Sequence, residues 1–568
     1  MKKIRLIALL LAVIMLFATA CNKTADTADN TANNNVTDVS PDNNEENEEE
    51  GFVIDDSEGP VFTRYPYGSE WGLCEKEPID IPKLKEMEYV HIDVTELIGK
   101  IEDITTRIFE YSNVDTLFKD YYDVYMQYRE FQSMRVIGYY KYGCDVNDTY
   151  YSEEYEYCSD QFNIINEDMS KLYAAMGASS LRDALEEKYF YPGYFEDYDD
   201  FEEASEEVFD LRDEETSLEM KYLAYSSDRD ESKHYAEIAD VFIDLVKTRQ
   251  KIATEYGYSN YLEYSYKNEF GRDYTPSDAR TFLDGIKEEL SPLGYKLYYS
   301  EDSPDAKFYD FGELLYGAAK EMGGVIEDAA RLLIKYELYD IEADAKKRAV
   351  GYQWYIPKYE VPFIFAYSPK YKTFCHEFGH FCDAAFNYGV DSDNDTAEIY
   401  SQAMEYLAMS YTTAFPDSIK KTYVKGSLGK LYDSLMWGSL AADFELQVYS
   451  MNPDELTPEV LDGIFKKVSI DYNYNNYYDK EDWIYIHHFF DFPVYCISYV
   501  TSVIPSLLIS KAEYDEKGEG VKLFNRLLER TYGKHFLGVL TEAGIDNPFE
   551  KETIKKTADF FKEYFGIE

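Results

Sequence analysis

The chain has 568 residues, of which 110 are acidic and 56 basic, so its formal net charge is −54 and its pI is near 4.4. Hydrophobic residues at 45% and charged residues at 29% are ordinary for a folded protein, which excludes a mainly disordered, collagen-like or polytopic membrane chain. The excess of carboxylates repels phosphate backbones and therefore argues against nucleic-acid binding.

The beginning of the chain has the pattern of a secretory signal. Three basic residues among the first five precede an apolar stretch over residues 6–17, which is too short for a comfortable membrane span. Small residues then lead to Cys21, and this ending resembles a bacterial lipoprotein lipobox. The resemblance implies that Cys21 becomes the lipidated first residue of the mature protein. The alternative is a plain signal peptide cleaved after Ala20, with Cys21 left as an ordinary residue.

A polar tether follows the predicted cleavage point. Residues 22–50 are rich in Asn, Asp, Thr, Ala and Glu and have no apolar periodicity, so they cannot bury a core. We therefore expect a lipoprotein signal peptide over 1–20 and a lipidated cysteine with an acidic disordered tether over 21–60. The implied location is a bacterial cell membrane, with the lipid-anchored protein facing outside the cytoplasm. Export would permit a disulfide between Cys144 and Cys158, although spacing alone does not establish that pairing.

The rest of the chain is predicted to be mainly α-helical, with a small sheet. Apolar residues recur at helical spacing in four stretches, which cover 236–246, 311–336, 397–411 and 558–564. Residues 350–368 are different, because they are rich in aromatic and β-branched side chains and predict one or two strands.

One motif after these predicted strands carries most of the chemistry. Residues 376–380 read His-Glu-Phe-Gly-His. On a helix, His376 and His380 project from one face and can both donate nitrogen to a single zinc ion, while Glu377 reaches the metal-bound water without ligating. Flanking aromatic residues predict a buried helix, in which unpaired imidazoles are costly and metal ligation removes that cost. The alternative is a pair of hydrogen-bonded histidines that bind no metal.

A zinc site with an open position needs a third protein ligand. The next predicted helix offers Glu398 and Glu405, which are seven residues apart and share a helix face. We expect Glu398 to ligate the metal and Glu405 to accept a hydrogen bond from a ligating imidazole, although either carboxylate can instead be solvated. Residues 391–395 superficially resemble a calcium loop but lack its glycine and its final glutamate, so we predict a solvated loop.

The motif and the following AEIYSQAMEYL resemble the oligoendopeptidase F and thimet oligopeptidase family of zinc metallopeptidases. Two more stretches agree: residues 247–261 resemble the family's helix leading into a Gly-Tyr-x-Asn-Tyr turn, and 486–502 resemble its His-Phe and multiple-Tyr substrate segment. The resemblance implies a mainly α zincin fold, with a small β-sheet beside the active-site helix and a deep substrate channel. It implies an N-terminal helical region over 61–200 and a zinc peptidase catalytic region over 201–568.

The resemblance also implies roles for individual residues. One Zn²⁺ would be held by His376, His380 and Glu398, and Glu377 would act as general base towards the activated water. Tyr495 and Tyr499 lie four residues apart on a predicted helix.

We expect both tyrosines to donate to the oxyanion, and His488 to bind the substrate backbone or the intermediate. His487 is the alternative to His488, which matches the family pattern better.

An extended peptide substrate is expected to add to the strand at residues 362–366, which would place Phe363 and Phe365 at the substrate. The sequence thus predicts an extracytoplasmic, lipid-anchored zinc oligopeptidase that hydrolyses internal bonds of short peptides, with neither nucleic acid nor an obligate protein partner. One alternative is a catalytically silent peptide- or solute-binding surface lipoprotein, against which the intact Glu377 argues. Another is a related zincin that acts as a carboxypeptidase.

Overall fold

The structure is a computed structural model that describes residues 79–198, 205–226, 231–297, 310–348, 350–367, 369–390 and 392–567. The predicted signal peptide, Cys21 and the tether lie outside the described residues. Within the described ranges, no helix combines the length and the apolar character that a bilayer crossing requires.

The described chain is mainly α-helical, as the sequence predicts. The helices before the sheet are α1 (Thr95–Thr106), α2 (Val114–Cys144), α3 (Thr149–Ala178), α4 (Arg182–Lys188), α5 (Glu206–Ser226), α6 (Tyr235–Glu255), α7 (Tyr261–Tyr264), α8 (Pro276–Glu289), α9 (Phe311–Met322) and α10 (Gly324–Lys335). Those after it are α11 (Tyr371–Phe386), α12 (Asn394–Tyr411), α13 (Asp417–Tyr449), α14 (Pro458–Asp471), α15 (His488–Asp491), α16 (Cys496–Asp515), α17 (Glu519–Leu528), α18 (Phe536–Ala543) and α19 (Lys551–Phe565). Short 3₁₀-helices cover Leu84–Glu86, Ile108–Glu110, Glu196–Tyr198, Glu231–His234, Ser291–Lys296, Pro453–Glu455 and Asp482–Tyr485, and a π-helix covers Ser265–Glu269.

The helix predicted over 311–336 is broken in two. Gly323 has φ +73° and Gly324 has φ +60°, a conformation that glycine adopts readily and that interrupts a right-handed helix. The apolar periodicity continues on both sides of this break, so the sequence pattern alone reads as one helix.

Two hydrophobic cores share one long helix. The smaller core packs α1, α2, α3 and α4 together, and the larger core fills the space around the sheet, α11, α12 and α16. The part of α2 up to Phe131 contributes Phe118 and Phe131 to the smaller core, and the part after it contributes Ile137 and Tyr140 to the larger one. Between the halves, the Ser133 hydroxyl accepts a 2.8 Å hydrogen bond from the backbone N–H of Lys358, so α2 is also tied to a turn of the sheet.

The sheet has three strands, β1 (Tyr339–Asp340), β2 (Gly351–Ile356) and β3 (Val361–Ala366), in the order β1-β3-β2. The two strands within the predicted segment form an antiparallel hairpin, in which Gly351 pairs with Ala366, and β1 joins β3 in parallel. Because β3 is hydrogen-bonded on both sides, it has no open edge to which a peptide can add.

The predicted substrate contacts of Phe363 and Phe365 are therefore wrong. Both side chains are fully buried on the central strand. The Phe363 ring lies 5.6 Å from the Tyr140 ring, and the Phe365 ring lies 5.0 Å from the Tyr352 ring, so these phenylalanines pack the core. The two-residue β1, which occupies the other edge of β3, is too short to leave a strand pattern in the sequence.

The disulfide that export would permit between Cys144 and Cys158 is not formed, since both are free thiols. Cys158 is buried beside the Tyr89 hydroxyl, 3.5 Å away. Cys144 is the last residue of the neighbouring helix α2, and its Sγ lies 3.8 Å from an oxygen of Asp340.

Candidate metal centre

The close crossing of α11 and α12 brings the predicted site residues together. Gly379 lies at the crossing, where a Cβ atom would stand 2.2 Å from the carbonyl oxygen of Tyr400 and 2.6 Å from the Cα of Ser401. Only glycine permits this approach, because any side chain would overlap the backbone of α12. The motif glycine between Glu377 and His380 thus sets the distance between the two helices.

His376, His380 and Glu398 converge at this crossing. Each offers one ligand atom, and the three atoms lie within 4.8 Å of one another. The Nε2 atoms of His376 and His380 are 3.6 and 3.8 Å from Oε2 of Glu398. Ser401 holds the carboxylate by donating to the same oxygen at 2.8 Å.

This donor set fits a zinc ion. Two imidazole nitrogens and one carboxylate oxygen are the ligands that zinc takes in catalytic sites, with a fourth position left for water. Burial lowers the pKa of His380 to about 4, which keeps the ring neutral and its nitrogen available for ligation. Among the residues that the structure describes, this is the only group of three His, Cys, Asp or Glu side chains whose ligand atoms converge in this way.

Glu405 orients His376, in the position that the sequence predicts for it. Its Oε1 lies 2.9 Å from Nδ1 of His376, and its Oε2 lies 3.0 Å from the Nζ of Lys372. Lys372 is one helical turn before His376, so its ammonium keeps Glu405 charged and the carboxylate accepts the Nδ1 proton. The opposite ring nitrogen, Nε2, is then the one directed at Glu398.

Glu377 lies beside the first residue of the edge strand. A Cβ atom on Gly351 would stand 3.3 Å from its Oε1, so the absence of a side chain there leaves the carboxylate in contact with the strand backbone. Burial raises the pKa of Glu377 to about 7, against the opposing effect of His376. A carboxylate with a pKa near neutrality is suited to accept and return a proton.

His488, Tyr495 and Tyr499 form one aromatic cluster with Trp437. The His488 ring lies 6.3 Å from Tyr495 and 5.8 Å from Tyr499, and the two tyrosine rings are 5.2 Å apart. Burial, and then the charge of Glu398, raises the pKa of the Tyr495 phenol.

The structure distinguishes the two adjacent histidines. Nδ1 of His487 lies 3.0 Å from the Tyr222 hydroxyl on α5. The His488 ring faces Tyr495 and Tyr499, so the geometry favours His488 over His487 at the site.

The prediction of a solvated loop over residues 391–395 is wrong at its last residue, Asp395, which lies in the first turn of α12. Asp395 is 3% exposed and accepts a 2.6 Å hydrogen bond from Thr501 on α16, together with hydrogen bonds from Tyr274. Arg272 pairs with the same carboxylate at 3.5 Å. These partners lie more than a hundred residues away in the sequence, so local composition gave no sign of them. Asp395 thus joins the helix that carries Glu398 to the helix that carries Tyr499.

Sequence reasoning also missed Arg249, which lies in the family-like stretch 247–261. Its side chain is fully buried and donates to Glu215 at 2.7 Å, to the Tyr449 hydroxyl at 3.0 Å and to the Phe489 carbonyl at 3.1 Å. It also donates to the carbonyl of Phe490. A buried guanidinium therefore binds the backbone carbonyls of the two residues that directly follow His488.

Comparisons with known proteins agree with this geometry. The model of the Peptidase M3 N-terminal domain matches residues 84–199, and the model of Peptidase family M3 matches residues 323–559, so together they span more than half of the chain. No curated protein sequence matches.

Solved structures match the fold over most of the chain. "PZ peptidase A with inhibitor 2" superposes with a TM-score of 0.71 at 19% identity, covering 85% of this chain and 99% of that one. A candidate oligoendopeptidase F from Bacillus anthracis str. Ames gives 0.70 at 19% identity, covering 86% and 98%. Oligoendopeptidase-F from Enterococcus faecium gives 0.54 at 15% identity, covering 83% and 96%.

Proposed function

The chain belongs to peptidase family M3, and from this premise we propose that it is a zinc oligopeptidase that hydrolyses internal bonds of short peptides. The observation that carries the proposal is the convergence of His376, His380 and Glu398 beside Glu377. A silent peptide-binding protein would have no use for a carboxylate of raised pKa next to three converging ligand atoms.

His376, His380 and Glu398 would hold the zinc ion. When bound, zinc lowers the pKa of its water and polarises the scissile carbonyl. Glu377 takes a proton from the attacking water at one carboxylate oxygen and delivers it to the leaving amine. The phenols of Tyr495 and Tyr499 donate hydrogen bonds to the oxygen on which negative charge develops, and His488 binds the adjoining peptide group.

The edge of β2 is the surface that would bind an extended peptide. The Tyr367 N–H donates to the Val350 carbonyl, so in the antiparallel register alternate residues of β2 bond to β3 and the others direct their backbone groups outward. Those outward residues are Gly351, Gln353 and Tyr355. Within the described ranges no strand covers this edge, and Gly351 places it next to Glu377.

The experiment compares the mature protein with Glu377→Gln on a mixed library of short fluorogenic peptides, with zinc content measured on both. We expect hydrolysis by the wild type, a loss of at least about a thousandfold in the variant, and one zinc per chain in both. Glutamine keeps the size of the side chain and removes only its basicity. Zinc without cleavage in the wild type would indicate a peptide-binding protein, and absence of zinc would overturn the proposed site.

We also propose that Cys21 carries the lipid anchor and that the enzyme acts outside the cytoplasm. The support is the signal-like sequence over residues 1–21 and the acidic tether that follows it. Cys21→Ser should move the protein from the membrane fraction to the soluble exported fraction of a bacterial host while leaving its peptidase activity intact. Equal membrane retention of both proteins would refute the anchor.

A further inference from the structure

Val494 has a backbone conformation that its side chain disfavours. Its φ is +64°, and the residue is buried just before Tyr495 and the start of α16. Left-handed backbone is a genuine outlier for a β-branched residue, and it persists only where the surroundings hold it in place. The position of this strain is notable, because Val494 joins the segment of His488 to the helix of Tyr499.

Two buried side chains hold the Val494 peptide groups. Oε1 of Glu445, on α13, accepts a 2.6 Å hydrogen bond from the Val494 N–H. Nη2 of Arg272 donates to the Val494 carbonyl at 3.0 Å and to the Ser498 hydroxyl at 3.0 Å. Both the N–H and the carbonyl of the strained residue therefore have their hydrogen bonds supplied by side chains from elsewhere in the fold.

The same anchor reaches the predicted metal ligand. Arg272 pairs with Asp395 at the start of α12, and Glu398 lies three residues further along the same helix. Asp395 also binds Thr501, on the helix of Tyr499. Arg272 is thus in contact with both elements whose relative position decides where the phenols lie with respect to the metal ligand.

We propose that Glu445 and Arg272 are positioning residues, which hold Val494 in its left-handed conformation and so fix Tyr495 and Tyr499 relative to Glu398. The inference rests on the proposed peptidase function and deepens it. Neither side chain touches the substrate. Their effect is exerted through the direction of the backbone entering α16, so their loss would weaken binding of the transition state more than binding of the substrate.

The primary test compares Glu445→Met with Glu445→Gln. Glutamine keeps an oxygen that accepts from the Val494 N–H, whereas methionine fills a similar volume and removes the acceptor. For Glu445→Met we expect kcat to fall at least about tenfold with KM within about twofold, and affinity for a phosphinic peptide to fall by the same factor as kcat/KM. Glu445→Gln should stay within about threefold of the wild type.

A rescue experiment addresses the backbone directly. Glycine adopts positive φ at no steric cost, so Val494→Gly in the Glu445→Met background should recover part of the lost kcat. Arg272→Lys should resemble Glu445→Met, because the guanidinium binds Val494 and Ser498 through Nη2 and faces Asp395 through Nε, and a single lysine ammonium cannot occupy both positions. Arg331→Lys is the matched control, since Arg331 is also buried but bonds Glu327 on its own helix.

Hydrogen exchange separates failure of this inference from failure of the proposed function. The Val494 amide should exchange faster in Glu445→Met than in Glu445→Gln, whether or not the protein cuts peptides. If the wild type cuts no peptides, the proposed function is wrong, and the exchange rate of the Val494 amide alone then tests whether Glu445 holds this residue.

Equal exchange of the Val494 amide in Glu445→Met and Glu445→Gln overturns the inference. If the wild type is active, faster exchange in Glu445→Met with an unchanged kcat overturns it as well. An equal kcat loss in Glu445→Gln or in Arg331→Lys also overturns it. If Glu445→Met does not fold, Arg272→Lys undergoes the same measurements with the same outcomes.

Discussion

Replacement of Gly379 by alanine tests whether the crossing of α11 and α12 sets the geometry of the metal site. Alanine is the better helix former, so by intrinsic propensity this change should stabilise α11 by up to about 1 kcal/mol. The structure predicts the opposite. The new Cβ would stand 2.2 Å from the Tyr400 carbonyl oxygen and 2.6 Å from the Ser401 Cα, both of which are backbone atoms. Backbone cannot move aside by changing a rotamer.

The size of the effect follows from these distances. Nonbonded atoms pack at about 3.5 Å, so the two helices must separate by on the order of 1 Å. Overpacking of this kind costs about 1–3 kcal/mol or more. Glu398 lies one turn before Ser401 and would move away from His376 and His380 by a similar amount. Zinc–ligand distances tolerate only about 0.2 Å, so zinc affinity should fall at least about tenfold.

The assay is zinc titration against a competing chelator, together with urea unfolding. Gly317→Ala is the control, because Gly317 lies within α9 and nothing stands within 4 Å of its added Cβ. It should be stabilised by about 0.5–1 kcal/mol, with zinc affinity unchanged. The reasoning is refuted if Gly379→Ala is as stable as the wild type and binds zinc within twofold of it.

Two other perturbations test the buried charges. Burial raises the pKa of Glu445 from 4.5 to about 8, although the Val494 N–H and two arginines act to lower it. The protonated carboxyl therefore contributes its full stabilisation of the fold below about pH 4.5, and this contribution is lost as the pH rises through 8. Between these pH values the free energy of unfolding of the wild type should fall with pH more steeply than that of Glu445→Gln, by about 1.4 kcal/mol per pH unit. Urea titrations at several pH values measure both slopes. Equal slopes would contradict the raised pKa of Glu445. Arg249→Met should destabilise the protein by about 3–5 kcal/mol, since Glu215 and two backbone carbonyls lose a buried donor; a loss under 1 kcal/mol in the same assay would show that water replaces the guanidinium.

Sequence reasoning works best where the chemistry is local. The spacing of His376 and His380 places both on one helix face, and the structure brings Glu398 to them and Glu405 to the far side of His376. The aromatic and β-branched residues of 350–368 likewise predict one or two strands, and the structure has two there. In these cases a few neighbouring residues contain the whole signal.

Long-range pairing is where the sequence is silent. Arg249 and Phe490 are 241 positions apart, and neither residue type nor spacing predicts their hydrogen bond. The open sheet edge was assigned to the wrong strand for the same reason, because the pairing of β3 with the short β1 depends on residues some 25 positions earlier. Asp395 is a third case, since an aspartate in an acidic stretch of sequence gives no sign that Tyr274 and Thr501 will donate hydrogen bonds to it.

Helix α2 has 31 residues and runs through both hydrophobic cores without a break. It is about 46 Å long, and a continuous helix of this length behaves as a stiff rod. Ser133, in the middle part of the helix, is hydrogen-bonded to the turn between β2 and β3. A tilt of the smaller core would therefore displace β2 before it displaced α11 or α12. Substitutions in the smaller core should then change the binding of a peptide to β2 and leave the positions of the metal ligands unchanged. The N-terminal helices would thus influence substrate binding at β2 rather than the geometry of the metal ligands.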